Sequence, residues 1–147
     1  MKGLIQRVTS ASVVVEGKTI ATINTGLLLF LGVEKTDTKN HADELCKKVL
    51  NYRVFSDEHT RMNLSLMDVG GDLLVVPQFT LAADTRSGSR PGFSFAAPPA
   101  EANDIFTHFI GLVVATIGEG RVATGKFGAN MQVALINDGP VTFLLES

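Results

Sequence analysis

The stretch "GLLLFLGV", residues 26–33, is apolar throughout and carries a glycine near each end. It has the length of a strand and is far shorter than the roughly 20 apolar residues that span a membrane. Alternating apolar and polar residues would indicate a strand with one face exposed to solvent. A continuous apolar run instead indicates a strand that is buried on both faces. The sequence therefore predicts a sheet built around a fully buried strand at this position.

The segments on either side of this run predict a single α+β domain over residues 1–147. Apolar residues at helical spacing predict two helices, one over residues 38–52 and one that begins at Pro98–Pro99. The predicted strands are residues 2–15, "TIATIN" (19–24), "LLVVPQFTLAA" (73–83), "GKFGANMQVALIN" (125–137) and "VTFLLE" (141–146). Because strands dominate and the helices are inserted between them, we expect a mostly antiparallel, barrel-like sheet with two helices.

The composition excludes several kinds of site and location. A single cysteine rules out an internal disulfide and a multi-cysteine zinc site, and the three histidines are scattered without metal-ligand spacing. The net charge of −2 argues against non-specific coating of nucleic acid, although it allows local contact with one end of an RNA. The N-terminus lacks the apolar core of a signal peptide, so we expect a cytoplasmic protein without metal, cofactor or membrane contact.

Few side chains suggest ordinary acid–base or nucleophilic catalysis. Cys46 lies on the apolar face of the first predicted helix and is better explained as a buried structural residue. His108 is better explained as a polar-face residue of the second helix. Arg86 and Arg90 lie in the glycine-rich loop "DTRSGSRPG", which is either a solvated loop or an RNA-phosphate contact. Further cations that could extend a basic patch are Lys47, Lys48, Arg121 and Lys126.

Two polar stretches in apolar surroundings are the strongest candidates for a site. In "PQFTLAADT" (77–85), strand alternation would place Gln78 and Thr80 on one face, and Pro77 would require an edge strand or a bulge. Free backbone N–H groups beside such an irregularity suit an oxyanion site. In "NDGPVT" (137–142), a Gly-Pro pair separates two strand-like segments. This pair is either an ordinary turn or backbone shaped for a ligand.

Together, "VVPQFTLAADT" and "NDGPVTF" resemble the two signature motifs of the D-aminoacyl-tRNA deacylase family. The segments "LIQRVTSASVVVEG", "GLLLFLGVEK", "MNLSL" and "RPGFSF" fit the same family. The resemblance covers essentially the whole chain, with both motifs in the expected order. It implies a homodimer that hydrolyses the ester between a D-amino acid and the 3′-terminal adenosine of tRNA. It also implies removal of glycine mischarged on tRNA(Ala), without metal or cofactor.

The resemblance also implies roles for particular residues. Gln78, Phe79 and Thr80 are expected to line the adenosine and the scissile ester. Gly139–Pro140 is expected to form a cis peptide, to reach across the dimer and to face the substrate's α-carbon with its carbonyl oxygens. Two further residues are expected to support the Gly-Pro segment; they are Arg7 and Met131.

One departure from the family pattern leaves alternatives open. The first motif commonly begins with serine, but this chain has Pro77, so no hydroxyl or N–H can act there. Because no base lies near Thr80 in sequence, we expect the tRNA's own 2′-hydroxyl, rather than a threonine nucleophile, to assist water. The alternatives are a sister class that removes L-alanine from mischarged tRNA, with a trans Gly-Pro, and a tRNA-binding module without catalysis.

Overall fold

The computed structural model describes residues 1–147 and contains one six-stranded sheet, a separate two-stranded sheet and three α-helices. The strands are β1 (Lys2–Val15), β2 (Lys18–Ile23), β3 (Gly26–Gly32), β4 (Phe55–Ser56), β5 (Met62–Leu64), β6 (Asp72–Pro77), β7 (Val122–Thr124) and β8 (Gln132–Glu146). The helices are α1 (Lys39–Asn51), α2 (Leu66–Val69) and α3 (Pro99–Ile117). None of these helices is long and apolar enough to cross a membrane.

The long strand β1 organises the main sheet. Its first half pairs antiparallel with β3 and its second half with β2, so β2 and β3 lie end to end along one side of β1. Strand β8 follows the other side along almost the whole length. The sheet also curls, so that Cα atoms of β2 come within 8 Å of β6 and β7. The result is the barrel-like α+β domain that the sequence predicts.

The sheet is mixed, so the prediction of a mostly antiparallel sheet is not confirmed. Strand β6 lies parallel to both of its neighbours, β3 and β7. Parallel neighbours need a long crossover, and the chain between β3 and β6 supplies one that includes α1. The continuous apolar runs of β3 and β6 are typical of parallel strands, a signal that the antiparallel interpretation passed over.

A third helix was missed in the sequence, although its capping residues are visible there. Ser65 Oγ accepts a hydrogen bond from the Asp68 N–H, and the Asp68 carboxylate accepts one from the Ser65 N–H. This reciprocal pair is a capping box, and Gly70 closes the helix with a φ of 63°. Only four residues are helical, too few for a recognisable apolar period.

The sheet has an apolar layer on each face, as the run at residues 26–33 predicts. Leu27 and Leu29 face α1 and α3, whereas Leu28 points into the barrel, and all three are fully buried. The layer under the helices includes Ile5, Leu31, Leu45, Val49, Leu73, Val75, Phe109 and Val113. The layer inside the barrel includes Val8, Val13, Leu74 and Val76. Cys46 is buried beneath α1, as predicted.

The segment around Gly139–Pro140 is a bulge within β8, not a turn between two strands. Asn137 and Thr142 pair with the β1 residues on either side of Arg7. The four residues 138–141 therefore stand opposite Arg7 alone, and we call them the Gly-Pro bulge. Both halves of β8 stay paired with β1, which explains how the chain passes a proline without leaving the sheet. The Gly139–Pro140 peptide is cis, as predicted.

Candidate active site

The first motif begins where β6 ends, at Pro77. Strand β6 lies between β3 and β7, so it is not an edge strand over its whole length, but its pairing with β7 covers only Leu73–Val75, which leaves one side open at Pro77. The Gln78 N–H donates to the Leu31 carbonyl of β3 at 2.8 Å. Since successive residues point to opposite sides, the nitrogen of Pro77 faces the β7 side, where pairing has already ended at Thr124. A proline is tolerated here because no donor is needed beyond the end of β7.

After Pro77 the chain turns into a short 3₁₀ helix, Phe79–Ala82, instead of continuing as a strand. The alternation argument for Gln78 and Thr80 is therefore wrong. The turn nevertheless brings their side chains together, because Gln78 Nε2 donates a hydrogen bond to Thr80 Oγ1. The first N–H groups of such a turn have no partner within it. The first bond of the turn runs from the Leu81 N–H to the Gln78 carbonyl, so the N–H groups of Phe79 and Thr80 precede it at the start of the turn.

Two cavities adjoin this turn, and both are lined in part by Pro77, Gln78, Phe79 and Gly128. The first, which we call the apolar cavity, has a volume of about 280 Å³. Its other lining residues are Leu31, Val33, Ala96, Ala97, Pro99, Ala102, Phe106 and Phe127. The second, which we call the Met131 cavity, has a volume of about 270 Å³ and is also lined by Val76, Ala129, Asn130, Met131 and Val133.

Close packing at Gly125 fixes Met131 in the second cavity. A Cβ atom on Gly125 would lie 2.8 Å from Met131 Sδ and 3.2 Å from Pro77 Cδ. The Lys126 N–H also points at the same sulfur, at 3.3 Å. Met131 is thus held beside the first motif. It does not support the Gly-Pro bulge of its own chain, because the six residues from Met131 to Asn137 extend about 20 Å.

Arg7 does lie against the Gly-Pro bulge. Its side chain is 12% exposed, and Nε donates to the backbone carbonyl of Asp138 at 2.8 Å. Nη1 donates to the carbonyl of Val54 at 2.6 Å. Asn137, which sequence reasoning missed, closes the bulge from within: its Oδ1 accepts from the Val141 N–H at 2.7 Å and its Nδ2 donates to the Val141 carbonyl. An asparagine at the start of such a segment is the signal that could have found it.

The candidate residues therefore form two groups within one chain. Gln78, Phe79, Thr80 and Met131 gather at the first motif and its cavities. Arg7, Gly139 and Pro140 lie at the bulge, and neither cavity has any of these three in its lining. Gly139 and Pro140 are both exposed to solvent.

Two of the remaining polar candidates, His108 and Arg121, have structural partners. His108 Nε2 lies 2.7 Å from the Asp43 carboxylate and ties α3 to α1. Arg121 donates to the Gly71 carbonyl, which removes it from the expected basic patch. Burial raises the pKa of the Cys46 thiol to about 11. No group of three His, Cys, Asp or Glu side chains lies close enough together to hold a metal ion.

Comparison with known proteins agrees with this architecture over the full chain. Residues 4–146 match the family model described as D-Tyr-tRNA(Tyr) deacylase. The "D-aminoacyl-tRNA deacylase" of Marinobacter nauticus is 65% identical over 147 residues, which are 100% of this chain and 94% of that protein. The protein of the same name from Pseudomonas putida is 59% identical and covers 99% of each chain.

Two solved structures have the same fold. The one described as "c-Myc DNA Unwinding Element Binding Protein" superposes with a TM-score of 0.96 at 40% identity, covering 100% of this chain and 99% of that one. A "probable eukaryotic D-amino acid tRNA deacylase" superposes with a TM-score of 0.84 at 17% identity, covering 99% and 98%. At that identity the second match supports the fold alone. On the family model and the curated relatives, this chain belongs to the D-Tyr-tRNA(Tyr) deacylase family.

Proposed function

We propose that this protein is a D-aminoacyl-tRNA deacylase, which hydrolyses the ester between a D-amino acid and the 3′-terminal adenosine of tRNA. We include glycine mischarged on tRNA(Ala) among its substrates and assign the protein to the cytoplasm, where charged tRNA is used. The observation that carries the proposal is the 65% identity, over the full chain, to a protein of that name. The arrangement of the first motif supports it independently.

The apolar cavity suits the terminal adenine. Bases that are splayed out of a nucleic acid are held by stacking on aromatic side chains and by apolar walls. Phe106 and Phe127 provide aromatic surface, and Ala102 leaves room between the walls. Phe79 and Gln78 line this cavity and the Met131 cavity alike, so a nucleoside in the first would present its ester near the turn.

The turn itself suits the chemistry of ester hydrolysis. When water attacks the ester carbonyl, negative charge develops on its oxygen, and preorganised N–H groups stabilise that charge. The N–H groups of Phe79 and Thr80, at the start of the turn, are such donors. Thr80 has its Oγ1 bonded to the Gln78 amide and has no base beside it. We therefore assign the assistance of water to the 2′-hydroxyl of the terminal adenosine and treat Gln78, Phe79 and Thr80 as the wall that orients the ester.

Two features of β8 support a homodimer. The strand pairs only with β1, so its outer edge has unpaired backbone groups, a surface that proteins usually cover. That edge is also apolar, because Ile136 is 62% exposed and Leu144 is 53% exposed. A second copy of the chain is the occupant that we propose for this edge.

In such a dimer the Gly-Pro bulge would complete the site of the partner. Within one chain Gly139 and Pro140 are exposed and line neither cavity, so they are free to contact a neighbouring subunit. Backbone carbonyl oxygens held close to the α-carbon exclude one enantiomer sterically. Rejecting L-aminoacyl-tRNA by about 10⁴-fold requires roughly 5.5 kcal/mol, which rigid contacts provide better than a flexible side chain.

Deacylation assays separate this function from its alternatives. Purified protein is incubated with D-tyrosyl-, L-tyrosyl- and L-alanyl-tRNA, and the remaining ester is measured over time. We expect rapid loss of the D-tyrosyl ester only. Rapid loss of the L-alanyl ester would indicate the sister class, and binding without hydrolysis of any ester would indicate a tRNA-binding module.

A further inference from the structure

Three phenylalanine side chains are exposed on and beside the loop formed by residues 84–95. Phe79, of the first motif, is 58% exposed, and the loop residues Phe93 and Phe95 are 42% and 45% exposed. The rings of Phe79 and Phe93 pack together with centroids 5.1 Å apart. Large apolar side chains that are grouped on a surface are typical of an interaction site.

The 84–95 loop is held in place at both of its ends. Asp84 and Gly92 exchange two backbone hydrogen bonds, at 2.7 and 3.1 Å, which close the loop like a hairpin. The carbonyl of Phe95 accepts a further bond from the Lys35 N–H at 2.9 Å. The aromatic rings are therefore presented from an anchored backbone, which lowers the entropy lost when a ligand is bound.

The loop also carries two arginines, Arg86 and Arg90, but only one of them is free of an acidic partner. The Arg86 guanidinium lies over the Phe95 ring at 5.5 Å and bonds both oxygens of Asp84, at 2.8 and 2.7 Å. These bonds hold the pKa of the Asp84 carboxyl at about 2, so the pair is neutral overall. Arg90 is exposed, and it forms none of the salt bridges found in the chain. The loop thus has stacking surfaces and one uncompensated positive charge.

We infer that the 84–95 loop binds the unpaired nucleotides that precede the terminal adenosine of the substrate tRNA. Single strands are bound by aromatic and guanidinium planes that stack on bases, combined with cations that contact phosphates. The loop has both, and Phe79 joins it to the apolar cavity, where the proposed function places the adenine. An RNA strand whose 3′ end lies in the apolar cavity has to pass this turn where it leaves the cavity. The inference rests on the proposed function of the site, which supplies the position of the 3′ end.

The test measures binding, so it does not depend on catalysis. A 5′-fluorescein-labelled RNA tetranucleotide, ACCA, is titrated with protein and followed by anisotropy, and adenosine 5′-monophosphate serves as a competitor without preceding nucleotides. The loop variants are Phe95→Ala and Arg90→Ala, neither of which contacts the cavities. Matched controls are Ile20→Ala on β2 and Arg61→Ala, which are similarly exposed. Thermal unfolding is recorded for every variant.

We expect wild-type protein to bind ACCA more tightly than the mononucleotide. Loss of one stacked base is worth about 1–3 kcal/mol, so Phe95→Ala should weaken ACCA binding by about fivefold or more. Arg90→Ala should also weaken ACCA binding. It should reduce the slope of log K against log salt concentration by about 0.7, the value for one phosphate of a single strand. Neither variant should change the affinity for the mononucleotide, and the controls should behave like wild type.

Equal affinity of wild type and loop variants for ACCA would overturn the inference, as would equal affinity of wild type for ACCA and the mononucleotide. A parallel loss of affinity for both ligands would also overturn it, because the effect would then lie in the adenine cavity. Failure of the proposed function gives a different result, namely no deacylation of D-tyrosyl-tRNA by wild type, whatever the outcome for ACCA.

Discussion

The Nε atom of Arg7 donates a hydrogen bond of 2.8 Å to the backbone carbonyl of Asp138, and this contact ties the Gly-Pro bulge to the strand opposite it. The same guanidinium donates to the carbonyl of Val54, at 2.6 Å. One planar side chain thus bonds two backbone oxygens from different parts of the chain. The bulge is fixed by this fork and by Asn137, not by ordinary strand pairing.

Replacing the Arg7 guanidinium, which bonds both carbonyls, should therefore loosen the Gly-Pro bulge. Arg7→Lys keeps the charge, but a single ammonium cannot reproduce the planar geometry that reaches both carbonyls. Hydrogen bonds from charged donors are worth about 1.5–3 kcal/mol, so we expect kcat/KM on D-tyrosyl-tRNA to fall by about tenfold or more. Arg61→Lys, whose side chain is exposed, is the control. Wild-type kcat/KM in Arg7→Lys would contradict a positioning role.

The bulge should also be sensitive to a single added methyl group. A Cβ atom on Gly139 would lie 2.5 Å from the Val141 nitrogen and 2.6 Å from its Cγ2 atom, so the backbone has to shift. We expect Gly139→Ala to lower kcat/KM on D-tyrosyl-tRNA. We also expect it to raise the ratio of kcat/KM on L-tyrosyl-tRNA to kcat/KM on D-tyrosyl-tRNA. Gly120→Ala is the matched control, because no atom lies within 4 Å of its added Cβ. Unchanged discrimination in Gly139→Ala would remove the bulge from the specificity mechanism.

The sequence predicted the parts of the fold that depend on local pattern. The buried run at residues 26–33, the two long helices and the proline start of α3 all follow from period and capping. Strand direction did not follow, because β3 and β6 are parallel only through a connection that local periodicity does not reveal. The turn at Phe79–Ala82 was also missed, since its apolar residues look like a continuation of β6.

The candidate site was predicted only as separate stretches of sequence. Gln78 and Thr80 are recognisable in the sequence as polar residues in an apolar run, but their hydrogen bond depends on the 3₁₀ turn. The position of Met131 depends on close contact with Gly125, which only the folded chain brings about. Gly139 lies far along β8 from Met131, so the two motifs are separated within one chain, and no local pattern in the sequence indicates this separation.

The proposed dimer should depend on the exposed edge of β8. Leu144→Lys places a charge on an apolar edge residue that is 53% exposed, so folding should be little affected while pairing of two copies is opposed. We expect wild type to sediment at about twice the chain mass and Leu144→Lys to sediment as an inactive monomer. Ile20→Lys, on a residue that is 45% exposed on β2, should remain dimeric and active. A fully active monomer would refute the shared site.

Burial of Cys46 should show in the pH dependence of stability. The folded thiol has its pKa raised to about 11, against a value of 9.0 when unperturbed. Below pH 9 both states hold the proton, and between pH 9 and 11 the unfolded state releases it first, so stability falls as the pH rises. We expect the free energy of unfolding of wild type, relative to Cys46→Ala, to decline over this window. A difference that does not vary with pH would show that the thiol is not shielded.

The last prediction concerns the source of the catalytic assistance. If Thr80 were the nucleophile, an adjacent base would have to remove its proton, but the only side chain bonded to its hydroxyl is the Gln78 amide, a donor without basic character. We therefore expect Thr80→Ala to keep kcat on D-tyrosyl-tRNA within about tenfold of wild type, less than the effect of removing a positioned acid or base, typically 10²–10⁴-fold. A tRNA that ends in 2′-deoxyadenosine should be hydrolysed at least about 100-fold more slowly by both proteins. Thr22→Ala on β2, an exposed threonine, controls for general effects of the substitution. A large loss of kcat in Thr80→Ala, together with normal hydrolysis of the 2′-deoxy substrate, would show instead that Thr80 is the nucleophile.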